Sequence, residues 1–204
     1  MKKSKISSWD YLWYALYAFA GLGLEIMLLS VIEPMIFGNI NSSDYTVTQN
    51  SIHWILTIIC WSALSIFLVN RAKKKLDFNI LDKSKPTTKG LIIAIILIIA
   101  CILINAFDWK TLKIIGEFKQ NEFILFIFQY IYYIFEVGLV FLIVAFGQKF
   151  AESLLKRKSN IPFGGIVLCC TWGAIHILSK GSFYTGLGVM AFALLYGCMY
   201  LLLN

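Results

Sequence analysis

The stretch GLIIAIILIIACILINAF, Gly90 to Phe107, decides the fold. It carries no charged side chain over a length that makes a helix of about 27 Å, close to the roughly 30 Å hydrocarbon core of a bilayer. In that solvent a backbone N–H or C=O finds no water, so the segment must satisfy itself as a helix. Five further runs share this character: Tyr11 to Ile32, Ser51 to Val69, Phe123 to Gly147, Ile161 to Leu178 and Phe183 to Leu203. The expected fold is an all-α membrane protein, a six-transmembrane-helix bundle forming one polytopic domain over residues 1–204.

Composition agrees with that reading. Of 204 residues, 59% are hydrophobic and 14% charged, with a mean hydropathy of +0.77; soluble domains run nearer half apolar and a quarter charged. Lys and Arg are unevenly placed. Lys2, Lys3 and Lys5, the loop from Arg71 to Lys89 (with Lys73, Lys74, Lys75, Lys83 and Lys85), and Lys149, Lys156, Arg157 and Lys158 fall on one side, 14 in all. Lys110, Lys113, Lys119 and Lys180, 4 in all, fall on the other. The positive-inside rule then puts both termini in the cytoplasm of a multi-pass protein of the plasma membrane. That bias accounts for the net charge of +7 without nucleic acid as a partner, and sets the basic loops against anionic lipid of the bilayer.

The opening MKKSKISSWDYLWYALYAFAGLG begins like a signal peptide, but its apolar part exceeds the usual length of about 7 to 15 residues and shows no clear small-x-small site. It reads as a retained first span. Glu33 to Asn50 and Asn70 to Lys89 read as loops, and KTLKIIGEFKQN and KFAESLLKRKS as short helices lying in the interface. Cys60, Cys101, Cys169, Cys170 and Cys198 all fall inside spans and read as small apolar packers.

The chemistry lies in three ionisable residues at bilayer depth. Each costs a few kcal/mol to insert, which marks it as a functional candidate. Counted along straight helices from the cytoplasmic edge, Glu25, Glu136 and His176 sit at about 21, 16 and 22 Å, one shared level. Gln129, Tyr132 or Tyr133, and Glu136 recur three and four apart and form a polar stripe expected to face the bundle interior. A packing role is also open: a protonated Glu and a neutral His can serve as interhelical hydrogen-bond partners worth about 0.6 to 2 kcal/mol.

Glu136 followed about 40 residues later by the aromatic-x-x-x-His of WGAIH, Trp172 to His176, and then by YTGLGVMAFALLYG, resembles the CPBP family of CAAX prenyl-protein endopeptidases and bacteriocin-processing or self-immunity proteins. The resemblance covers about Phe123 to Asn204. It implies an intramembrane hydrolase that activates water against a membrane-associated peptide or prenylated substrate. Glu136 would be the general base or a metal-linked carboxylate, and His176 a metal ligand or oxyanion-side donor, with a divalent ion such as zinc as the implied cofactor. The family's second glutamate and downstream Arg are absent, since Phe135 and Val137 flank Glu136 and Val140 to Leu142 are apolar. Its closing His-x-x-x-Asn does not occur within the chain. Glu25 stands as a third ligand from outside the family pattern, because a catalytic metal needs three protein ligands and an open position. Since loss of one oxyanion donor costs about 10² to 10³ in rate, the expected turnover is weak or absent. The alternative is a small-molecule capture subunit of a vitamin importer, with Glu25, Trp54, Trp61, Glu136 and His176 lining an outward pocket.

Overall fold

The computed structural model describes residues 6–81 and 85–204, so Lys2, Lys3, Lys5 and Lys83 of the charge count lie outside the described residues. Among the described residues the regular structure is helical throughout, with no strand. Helix α1 spans Ser8–Phe37, α2 Val47–Lys75, α3 Thr88–Trp109, α4 Lys113–Gln120, α5 Phe123–Leu155, α6 Phe163–Ser179 and α7 Phe183–Leu203. All but α4 and α6 are long and apolar enough to cross a bilayer, which makes this a multi-pass membrane protein with five such spans. The fifth expected span is the shorter α6, about 25 Å at 1.5 Å per residue.

Capping residues fix where the helices begin. Ser7 and Asp10 form a capping box before α1, and Thr46 and Gln49 form another before α2. Each satisfies backbone N–H groups that the first turn leaves without partners. The expected loop from Glu33 to Asn50 therefore shrinks to residues 38–46, because α1 continues to Phe37 and α2 starts at Val47. The next expected loop shrinks as well: α2 runs on to Lys75, placing Lys73, Lys74 and Lys75 at the negative end of the helix dipole.

The expected separate helix over residues 149–159 is instead the end of α5, which stops where Lys156 turns left-handed at φ 54°. Burial joins it to the span. Gln148 and Ala151 face the core, and the Gln148 amide donates to the carbonyls of Ser159 and Ile161 and accepts from the Gly164 N–H. One side chain thus closes the α5–α6 turn. The other short helix forms as expected, over Lys113–Gln120.

Helix α5 is the central element, buried at almost every position from Leu139 to Gly147. A helix apolar on all sides belongs in the middle of a bundle. It packs against α1, α2 and α6, while α7 covers α6 and α3 rests on α7. Helix α3 buries only Gly90 and Ala94 and presents Ile92, Ile96, Ile99 and Leu103 outward, as a lipid-facing helix does. At the α5–α6 crossing, a Cβ on Gly164 would sit 2.1 Å from the Val144 carbonyl oxygen, so only glycine permits this approach.

Two helices are interrupted by a wide π turn, α1 at Leu28–Ile32 and α6 at Cys169–Gly173. Such turns add a residue to the helix and re-aim everything beyond it. In a regular helix Glu25 and Glu33, eight apart, would point about 80° away from each other; one inserted residue reduces the difference to about 20°. Both can then face α2.

Candidate functional site

Glu136 lies on α5 opposite the π turn of α6, which carries Trp172. The Trp172 indole N–H donates to Glu136 Oε1 at 3.4 Å, a long bond. One turn later, the His176 ring stands edge-on to Trp172, with centroids 4.6 Å apart. The two residues singled out in the sequence therefore touch a common side chain, and no hydrogen bond joins them directly among the described residues.

His176 Nδ1 lies 2.6 Å from the Trp172 carbonyl oxygen. A carbonyl only accepts, so Nδ1 carries the hydrogen and the neutral ring keeps a lone pair at Nε2. Neutral His176 is thus a base or a ligand at Nε2. The expected role as a neutral oxyanion donor does not fit this tautomer.

A zinc site of the implied kind needs about three protein ligands. No group of three or more His, Cys, Asp or Glu side chains suited to a metal ion is assembled among the described residues. Glu25 does not join His176; it turns to Tyr132 and His53. The donor set does not fit zinc.

A second cluster lies beside the first and was not apparent from the sequence. His53, on the first turns of α2, sits between two carboxylates of α1, with Nδ1 2.7 Å from Glu33 Oε1 and Nε2 3.3 Å from Glu25 Oε1. The Tyr132 hydroxyl donates to both oxygens of Glu25, at 3.0 and 2.9 Å. Glu33 is 0% exposed and His53 6%. Glu33 falls one residue past the expected end of the first span and His53 two residues into the second, positions normally assigned to the polar edge. The available signal was their flanks, since VIEPMIF is apolar on both sides of Glu33.

The polar stripe on α5 divides among three partners. Tyr132 serves Glu25 and Glu136 meets Trp172, whereas Gln129 and Tyr133 turn to Glu117 of α4. Glu117 is buried and also accepts from Tyr130 at 2.8 Å, with Lys113 Nζ at 3.7 Å. This cage pins the amphipathic α4 to the start of α5. Trp61, expected on a pocket rim in the alternative reading, is 1% exposed, packs at a tilt against Tyr132 and donates its indole N–H to the Gly21 carbonyl at 2.9 Å. It is a core residue.

Comparison of the chain with protein-family models, with curated proteins and with solved structures gave no match.

Proposed function

We propose that this protein is a CPBP-like intramembrane peptidase relative of low activity, acting on a membrane-associated peptide in processing or self-immunity. In this reading six helices span the plasma membrane, the short α6 among them, and both termini are cytoplasmic, as the distribution of Lys and Arg requires. The observation that carries the reading is the continuity of Glu136, Trp172 and His176, which brings a carboxylate and an imidazole with a free lone pair to one crossing of α5 and α6.

The chemistry follows from the tautomer. His176 Nε2 takes a proton from water, and Glu136, held by the Trp172 N–H, orients that water and supports the imidazolium that forms. The hydroxide adds to the peptide carbonyl, and the imidazolium returns the proton to the leaving amine. In this tautomer His176 supplies no hydrogen to the oxyanion, and a missing donor costs about 10² to 10³ in rate. Slow turnover is the consequence.

The capture reading loses support because Trp61 is committed to packing and to Gly21. The test incubates vesicles carrying wild type, Glu136→Gln or His176→Ala at matched levels with a lipid-anchored peptide. Slow release that either substitution abolishes supports the proposal. Release that survives both, or no release by wild type at any protein concentration, overturns it.

A further inference from the structure

Glu33, His53 and Glu25 form a line in which each imidazole nitrogen meets a carboxyl oxygen, at 2.7 Å on the Glu33 side and 3.3 Å on the Glu25 side. A carboxylate and a bare ring nitrogen are both acceptors, so each contact needs a proton between its heavy atoms. Neutral imidazole brings one. The line needs two.

The surroundings of the two carboxyls differ and locate the second proton. Glu33 is fully buried and its Oε2 has no hydrogen-bond partner. An unpartnered oxygen is far less costly to bury on a neutral acid than on a carboxylate. The Glu25 side chain is 28% exposed and accepts the Tyr132 hydroxyl at both oxygens, as an acceptor-only carboxylate does. In this arrangement Glu33 Oε1–H donates to Nδ1, and Nε2–H donates to Glu25.

We propose that Glu33 stores a proton as a buried carboxylic acid and that His53 relays it to Glu25, forming a proton-transfer site between α1 and α2. In the transfer, the Glu33 O–H bond breaks as an Nδ1–H bond forms, and the Nε2–H bond breaks as an O–H bond forms on Glu25. Two protons and a net charge of −1 remain on the three groups throughout. The other titratable groups facing the line are Tyr45 from the loop, whose hydroxyl is directed at the Glu33 carboxyl without a hydrogen bond of good geometry to Oε2, and Tyr132 from α5, beyond which Glu136 lies one turn along. The inference rests on the hydrogen-bond count and burial alone and does not depend on the peptidase reading.

Infrared difference spectroscopy of the full chain in lipid nanodiscs at neutral pH tests both parts. The wild type should show a carboxylic-acid C=O band that Glu33→Gln removes and Glu25→Gln leaves in place. On transfer to D₂O, the isotope shift of that band should slow by about 10²-fold in His53→Asn, the lower end of what a positioned proton-transfer group contributes. A band untouched by Glu33→Gln, or lost in Glu25→Gln, overturns the storage site; exchange at the wild-type rate in His53→Asn overturns the relay. Should Glu33→Gln fail to fold, Glu33→Asp replaces it: the band should shift in frequency, and a band unchanged in Glu33→Asp overturns the storage site.

Discussion

Helices α1 and α6 are both interrupted by a π turn and both press on α5, yet they hold opposite kinds of polar site. On α1 the turn aligns two carboxyl groups around a histidine that is sealed from its surroundings. On α6 the turn sets out Trp172 and a partly exposed His176 whose one strong bond is to its own helix. The first site is closed at Glu33 and His53, and its members depend on each other. The second is open, and its imidazole is left free to react. The difference shows that a π turn supplies aim, while burial and partner count decide what the aimed groups can do.

The largest expected effect is on the closed site. His53→Ala removes the 2.7 Å partner of the buried Glu33 and opens a cavity, and should lower stability in detergent by about 3 kcal/mol, read from the denaturation midpoint. His176→Ala leaves no buried group unpaired and should cost under about 1 kcal/mol in the same assay. Similar losses for the two would erase the contrast between the sites.

Gly164→Ala comes next. Its Cβ would meet the Val144 carbonyl, so α6 must move away from α5 at a cost of about 1 to 3 kcal/mol. Because that movement carries Trp172 away from Glu136, any peptide release should fall with it, while the Glu33 infrared band stays unchanged. Loss of the band in Gly164→Ala would mean that the two sites are coupled through α5.

Smaller still is Tyr132→Phe, which removes one hydroxyl from a partly exposed carboxylate and should cost about 1 kcal/mol. Trp172→Phe should cost less, since the bond it deletes is 3.4 Å long and an edge-on ring contact with His176 is kept. Its effect belongs in the peptide assay, as reduced release with Glu136 less well held. Stability loss from Trp172→Phe exceeding that from Tyr132→Phe would make the α6 cluster structural.

The long apolar runs were legible because lipid imposes one solution on each, and α7 matched its expected bounds to the residue. Helix ends were less legible. Charged residues such as Lys73 to Lys75 continue a helix into water without any change of period, and KFAESLL reads alike whether detached or joined to α5. Glu136 and His176 could be found because each stands alone deep in an apolar run. Glu33 and His53 could not, because a π turn is invisible to a 3.6-residue period and depth estimated from span limits puts both at the edge. Contacts across long separations, such as Trp172 with Glu136 and Glu117 with the tyrosines of α5, have no local signature.

The chain has two histidines, one in each site, so a single spectrum tests the contrast between them. Protein labelled with ¹⁵N-histidine, with His176→Ala used only to assign the signals, reports the tautomer of both rings at neutral pH. Opposite neutral tautomers are predicted: hydrogen on Nε2 of His53, whose Nδ1 accepts from Glu33, and on Nδ1 of His176, which donates to the Trp172 carbonyl. The same tautomer in both rings, or an imidazolium at His53, would contradict the account.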